Sequence, residues 1–145
     1  MDQENNNRGV QNLIPQPHPS SLAPAKGDVA AYKELIVWQK AMLLVDWVYE
    51  AMRSFPKDER FRLCDQLSRA VVSVPSNIAE GNGRGTKSDY AHFLTIARGS
   101  LYETMTQLEI AKRQKYVADI EPAESLSVEI RRMLNSLITK LTIAN

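Results

Sequence analysis

Residues 74–81 read V-P-S-N-I-A-E-G and residues 99–103 read G-S-L-Y-E, within a stretch from Val71 to Glu103. Apolar residues recur there every three or four positions, a spacing typical of an amphipathic helix. Four polar residues lie close to the apolar side of this repeat: Asn77, Glu80, Ser100 and Glu103. Packing of apolar side chains does not explain these four, so the stretch predicts two helices with a polar cluster between them.

The helix that contains the first motif is predicted to begin at Asp58. Its inward side is predicted to carry Cys64, Leu67, Val71, Val74 and Ile78. Proline inside a helix removes a backbone donor and costs about 3 kcal/mol. Because the apolar spacing continues unchanged through Pro75, we predict a kinked but continuous helix.

A glycine-rich turn is predicted after this helix, with Gly81 as its left-handed C-terminal cap. Thr86 or Ser88 is expected to cap the third helix. The apolar stripe of that helix comprises Tyr90, Leu94, Ala97, Leu101, Leu108 and Ala111, flanked by Phe93 and Met105. Gly99 and Ser100 occupy its middle and predict a close approach of another helix.

The segments on either side predict two more helices. The first carries Trp38, Ala41, Val45, Val48, Met52 and Phe55 on one side, and Leu43, Leu44 and Trp47 on a second flank. Pro56 ends it. The fourth has Pro122 in its first turn and a stripe of Leu126, Ile130, Met133, Leu137 and Leu141. The predicted fold is all-α: an antiparallel, up-down-up-down four-helix bundle over residues 31–145.

Residues 1–30 are rich in Asn, Gln and Pro and lack an apolar period, so we expect a disordered N-terminal tail. A partner-binding peptide around Leu13 and Ile14 is the alternative. Cys64 is the only cysteine, which excludes an intramolecular disulfide. No charged leader or membrane-length apolar run is present, and we expect a soluble, cytoplasmic protein without a membrane partner.

Antiparallel pairing of the second and third helices predicts which polar residues meet. It places Ser100 near Ala70, and Glu103 near Arg69. We therefore predict an Arg69–Glu103 ion pair and a hydrogen bond from Asn77 or Glu80 at the other end of this polar network. Buried polar groups that are fully paired fix helix register. A catalytic carboxylate pair is the alternative reading of the same residues.

The turn and the helix after it offer candidate residues for two kinds of ligand site. Asp89 and His92 match half of a two-metal carboxylate motif, but His18 is the only other histidine, so we expect neither a metal nor another cofactor. Arg84 and Lys87 precede or begin a helix whose N-terminus could hold a phosphate. The loop lacks the Gly-Lys-Ser/Thr ending of a nucleotide-binding loop, and a solvated interhelix turn is the alternative.

Basic residues make the stronger case for a nucleic-acid partner. The whole chain has 18 basic and 17 acidic residues, but residues 53–115 contain 11 Lys or Arg against 7 Asp or Glu. Five of them are expected at one end of the bundle, called here the basic end: Lys57, Arg60, Lys112, Arg113 and Lys115. A phosphate backbone would bind there in a salt-dependent way. An ordinary solvated helix end is the alternative.

These motifs, with W-Q-K-A at 38–41 and F-L-T-I-A-R-G-S-L-Y-E at 93–103, resemble a bacterial four-helix-bundle family. It includes proteins encoded within intervening sequences of large-subunit ribosomal RNA genes, and its superfamily includes the accessory variability proteins of diversity-generating retroelements. The resemblance covers residues 32–117 most strongly. It implies a ring-shaped homopentamer without catalytic activity and with nucleic acid as ligand; a retroelement member would also contact its reverse transcriptase.

Three functions follow as hypotheses. The first is a non-enzymatic oligomeric scaffold that binds RNA or DNA through the basic end, as the accessory subunit of a retroelement reverse transcriptase. The second is a structural or protein-interaction bundle encoded in a ribosomal-gene intervening sequence, which self-assembles through Ile36, Leu43 and Trp47. The third, an enzyme with a carboxylate or metal centre, fits the residue pattern least.

Overall fold

The computed structural model describes residues 29–143, and within that range it is helical with no strand. A short 3-10 helix, Ala31–Glu34, precedes α1 (Ile36–Met52). Another short 3-10 helix, Lys57–Glu59, precedes α2 (Leu63–Gly83). The chain continues with α3 (Lys87–Arg113) and α4 (Glu121–Ile143). The all-α, four-helix prediction is confirmed for this part of the chain, whereas residues 1–28 of the predicted tail lie outside it.

Side-chain contacts define which helices are neighbours. The α2–α3 interface is the most extensive, and α1 and α4 pack against each other and against α2 and α3 respectively. Lys40 of α1 lies 2.8 Å from Glu129 of α4. Arg98 of α3 donates to Asn135 of α4 at 2.9 Å. These contacts are consistent with the antiparallel order that the short links predicted.

The buried side of α1 differs from the predicted one by a fraction of a turn. Its buried residues are Val37, Ala41, Leu44 and Val48, whereas Trp38 and Val45 are only half-buried. Leu44 was assigned to the second flank but is fully buried, and its neighbour Leu43 is 56% exposed. Trp47 is half-buried against the core. The helix has apolar residues on several sides, so spacing alone did not set its rotation.

The start of α2 was predicted wrongly. Asp58 lies in the 3-10 helix, and α2 begins five residues later at Leu63. Arg62 has φ −118° and ψ −101°, which is outside helical geometry and separates the two elements. Beyond that point the predicted continuity is confirmed, because α2 runs without a break through the buried Pro75.

The glycines serve different purposes from those predicted. Gly81 is buried inside α2, where an added Cβ would lie 2.7 Å from Cβ of Phe93 on α3. Gly85 instead has the left-handed backbone, with φ +90°. A Cβ at Gly99 would meet nothing within 4 Å. The close helix approach therefore occurs at Gly81, and the helix-terminating turn contains only residues 84–86.

The buried faces of α3 and α4 surround the rest of the core. Leu94, Ala97, Leu101, Leu108 and Ala111 of the predicted α3 stripe are buried, and Tyr90 is half-buried. On α4 the buried residues are Ala123, Ser127, Ile130 and Leu134. Only Ile130 of the predicted α4 stripe is fully buried; its other four members pack half-buried against the core. Pro122 does lie in the first turn of α4, as predicted.

Candidate nucleic-acid interface

The link between α1 and α2 packs against the C-terminal end of α3. Ser54 Oγ donates a hydrogen bond to the Tyr116 carbonyl at 3.0 Å. The rings of Phe55 and Tyr116 lie 5.6 Å apart. Residues 53–62 and the end of α3 therefore share one end of the bundle, as the basic-end prediction requires.

The Glu59 carboxylate connects the start of α2 to the residues that follow α3. Its Oε2 accepts the Leu63 backbone N–H at 3.1 Å, and its Oε1 accepts the Tyr116 hydroxyl at 3.2 Å. A carboxylate beside the first turn of a helix satisfies a backbone donor that has no partner within the helix and interacts favourably with the helix dipole. Glu59 thus caps α2 and ties that cap to the chain that leaves α3.

Two side chains near Glu59, those of Tyr116 and Cys64, have raised pKa values. Burial raises the pKa of the Tyr116 phenol above its ordinary value of 10.0, and the hydrogen bond to Glu59 and the negative charges of Glu59 and Asp58 raise it further, against the opposing charge of Arg62. Burial, followed by the charge of Glu59, raises the pKa of the Cys64 thiol. Both side chains are therefore neutral at pH 7.

The raised tyrosine pKa predicts a loss of stability in alkaline solution. Because the unfolded chain ionises Tyr116 more readily, its stabilising contribution is present below pH 10 and is lost as the pH rises through the folded-state pKa. Denaturant unfolding measured from pH 8 to pH 11 should show this decline, and Tyr116→Phe should decline less steeply. Equal slopes for the two proteins would contradict the assignment.

Five exposed cations at this end have no ion-pair partner among residues 29–143. They are Lys57, Arg60, Arg62, Lys112 and Lys115. Arg113, predicted as part of the same surface, pairs with Glu109 at 3.3 Å. Arg62 was not predicted, although it follows Arg60 by two positions. The remaining anions here include the exposed Asp58 and Asp119, so the local charge is positive.

Lys115 occupies a backbone conformation that usually favours glycine. Its φ is +65°, and it follows the C-cap residue of α3. Tyr116 N–H donates to the Ala111 carbonyl and Lys115 N–H to the Lys112 carbonyl, each at 2.9 Å. This is the Schellman pattern of helix termination. A lysine at that position carries backbone strain of about 1 kcal/mol, and it places a cation beside the negative end of the α3 dipole.

The second predicted phosphate site, Arg84 with Lys87, lies at the opposite end of α3. Arg84 lies 3.9 Å from Asp89 and also stacks over the Phe93 ring, 5.3 Å from its centroid. Thr86 accepts the Asp89 N–H at 3.1 Å, confirming the predicted cap. The carboxylate of Asp89 in the first turn disfavours a second anion there, so this site is the weaker candidate.

The predicted polar network forms only in part. Ser100 hydrogen-bonds to Ser73 at 2.7 Å, and Asn77 donates to the Ser73 hydroxyl and carbonyl, both at 2.8 Å. Ser73, which sequence reasoning missed, therefore joins the two motifs. The other three predicted members do not take part: Arg69 pairs with Asp65, Glu103 accepts from Gln107, and Glu80 is exposed without a partner in the described chain.

The predicted Arg69–Glu103 ion pair was thus wrong, whereas the hydrogen bond predicted for Asn77 or Glu80 is made by Asn77. Arg69 and Glu103 are both exposed, so each finds a neighbour four residues away on its own helix. Across residues 29–143, no three His, Cys, Asp or Glu side chains come together to form a metal site. None of the helices in the same range has the length and apolar character needed to span a membrane.

One exposed aromatic residue of the basic end was also missed. Phe61 lies between Arg60 and Arg62 and is 85% exposed. It follows a polar run in a link without apolar periodicity, so the sequence pattern did not predict whether Phe61 is buried or exposed. The nearest sequence signal was the Arg-Phe-Arg order itself.

Four packed helices with exposed charged ends define a small helical-bundle protein. The family model described as 23S rRNA-intervening sequence protein matches residues 33–136, and the chain belongs to this family. It is also similar to a solved structure from Bacteroides thetaiotaomicron, described as a protein of unknown function from the S23 ribosomal protein family. That comparison has 27% identity and a TM-score of 0.60, and covers 71% of this chain and 98% of the other. No curated protein matches the chain.

Proposed function

We propose that the protein is a non-enzymatic, oligomeric helical bundle that binds RNA or DNA through the basic end. The observation that carries the proposal is the group of five exposed cations on two adjoining segments, none of which has an ion-pair partner in the described part of the chain. Lysine and arginine at such positions displace counterions from a phosphate backbone, which makes binding strong at low salt and weak at high salt. The strained Lys115 supports this function, since glycine would satisfy the backbone there at lower cost.

Self-association is the second part of the proposal. Ile36 and Leu43 of α1 are 60% and 56% exposed. Each of the two lines a groove between α1 and α4. The groove at Ile36 is also lined by Leu35 and Met133, and the groove at Leu43 by Trp47 and Leu126. Apolar side chains exposed on one face favour burial against another copy. The family resemblance favours a homopentamer, in which the basic end would repeat around the ring.

A reverse transcriptase is the further partner expected if the chain belongs to a retroelement. The alternative is a self-assembling interaction bundle without direct nucleic-acid binding, which the exposed α1 residues favour. Light-scattering mass measurements of wild type and Leu43→Ala separate assembly from nucleic-acid binding. A lower mass for the variant would place Leu43 in the subunit interface, while an unchanged mass would remove it from the interface.

Matched double substitutions test the proposed nucleic-acid surface. Lys112→Gln/Lys115→Gln removes two cations from the basic end, and Arg84→Gln/Lys87→Gln removes two from the opposite end. Fluorescence anisotropy with a labelled RNA at several salt concentrations should show about tenfold weaker binding for the first variant only. The salt slope should fall by about 1.5 for each protomer in contact.

Two results would overturn this assignment. Loss of binding in the Arg84→Gln/Lys87→Gln variant alone would move the interface to the turn between α2 and α3. Wild-type affinity in both variants would remove the basic end from the interaction. Circular dichroism melts should be similar for both, because all four side chains are exposed.

A further inference from the structure

Phe61 has no role in the core that would explain an aromatic side chain. It is 85% exposed, compared with 48% and 53% for the exposed tyrosines Tyr49 and Tyr102. An isolated exposed apolar residue is ordinary on a protein surface. Phe61, however, lies between Arg60 and Arg62, neither of which has an ion-pair partner within residues 29–143. This combination of an exposed aromatic ring with positive charge points to a ligand.

The link presents Phe61 on an ordered backbone. Arg60 N–H donates to the Lys57 carbonyl at 3.2 Å, and Arg62 N–H to the Glu59 carbonyl at 3.0 Å. The Glu59 side chain closes the same segment through its bonds to Leu63 N–H and Tyr116. The backbone that carries the ring is therefore ordered, which reduces the ordering cost of binding a ligand.

Two arginines flank Phe61 in sequence, and one of them lies over its ring. The Arg60 guanidinium carbon is 5.6 Å from the Phe61 ring centroid, within the range of a cation–π contact. Arg62, on the other side in sequence, is exposed and has no ion-pair partner within residues 29–143. An uncharged aromatic ring with one arginine over it and a second arginine next to it in sequence suits a nucleotide, whose base can stack on the ring while its phosphates meet the arginines.

We infer that Phe61, with Arg60 and Arg62, forms a stacking site for an unpaired base of single-stranded RNA or DNA. The inference rests on the proposed nucleic-acid function and narrows its ligand to unpaired strands. Bases in a duplex are stacked on one another and cannot present a free face to the ring. A protein partner would explain the exposed ring less well, because it would have to neutralise the neighbouring cations.

Binding by Phe61→Leu tests this stacking site. Leucine keeps an apolar side chain but removes the aromatic face, and Phe61→Trp keeps that face. Anisotropy titrations should use a labelled single-stranded oligonucleotide and a fully paired, blunt-ended duplex with the same number of phosphates. Phe61→Leu should weaken single-strand binding roughly tenfold and leave duplex binding unchanged, because stacking contributes per unpaired base. Phe61→Trp should bind the single strand at least as tightly as wild type.

The outcomes separate this inference from the broader proposal. Unchanged single-strand binding by Phe61→Leu, with salt-dependent binding intact, would overturn the stacking site but leave the basic end as the interface. Equal weakening for both nucleic acids would also overturn it. A lower oligomer mass in Phe61→Leu with normal single-strand affinity would show a protein contact instead. No salt-dependent binding by the wild type would overturn both proposals.

Discussion

Leu44→Ala should lower the free energy of unfolding by about 3 kcal/mol, whereas Leu43→Ala should change it by less than about 0.5 kcal/mol. Leu44 is fully buried between the helices, and Leu43 is 56% exposed on the same helix. Truncating a buried leucine removes apolar burial and leaves a cavity that its neighbours fill only in part. Truncating an exposed leucine does neither.

Urea denaturation of the two variants, at a protein concentration where light scattering shows each to be monomeric, provides a matched comparison. The substitution and the helix are the same, and Leu43 then makes no contact between subunits. The unfolding midpoint of Leu44→Ala should fall strongly, with little change in the slope against urea concentration. Similar losses in the two proteins would contradict the rotation of α1. A larger loss for Leu43→Ala would require α1 to turn by about 100°, the angle between successive residues of a helix.

Gly81→Ala should destabilise the protein by about 2 kcal/mol, although alanine is the better helix former. The added Cβ would lie 2.7 Å from Phe93 Cβ, 3.1 Å from Tyr90 Cδ2 and 3.3 Å from the Tyr90 carbonyl oxygen. Neither a Cβ nor a backbone carbonyl can move away by a simple rotamer change. Relief of the clash therefore requires α2 and α3 to separate locally.

Gly99→Ala is the control for this second substitution. Gly99 is also inside a helix, but an added Cβ there would meet nothing within 4 Å. The variant should gain about 1 kcal/mol from helix propensity alone. Thermal or urea unfolding of both variants should therefore give changes of opposite sign. A gain in both would show that α2 and α3 are not in close contact at Gly81.

The apolar repeat was sufficient to predict the four helices and most of the core. Leu67, Val71, Val74 and Ile78 are all fully buried, as the three-and-four spacing of α2 required. The same rule was weaker in α1, where Leu43 and Leu44 are both apolar and adjacent. Periodicity fixes the helix, but only contact with neighbouring helices chooses which of two adjacent leucines is buried.

The polar contacts between α2 and α3 depended on geometry that a linear count omits. Pairing by residue number placed Ser100 opposite Ala70, whereas its partner is Ser73, almost one helical turn away. Side chains on a helix point towards its own N-terminus. In an antiparallel pair, the residues in contact therefore lie one or two positions closer to the C-terminus of each helix than the pair that a count from the turn places opposite each other. The shift does not explain the missing Arg69–Glu103 pair, because both residues are exposed and each contacts a neighbour four residues away on its own helix.

Glycine roles could not be assigned from the sequence, because a helix cap, a close contact and an exposed turn can all contain glycine. The role of Gly81 depends on its contacts with Phe93 and Tyr90, which are contributed by the next helix.

The basic end was easier to predict, since the links bring Lys57 and Lys112 to the same end. The contacts of Glu59 with Leu63 and Tyr116 and the exposure of Phe61 depend on the fold of the link between α1 and α2. No periodic pattern in the sequence indicated either of them.

The salt dependence of RNA binding by the wild-type protein tests the proposed function. The logarithm of the association constant should fall linearly with the logarithm of salt concentration between about 50 and about 200 mM. For a single strand that contacts the five cations of one protomer, the slope should be about −3.5. A slope near zero, or no binding at about 50 mM salt, would contradict binding through the basic end.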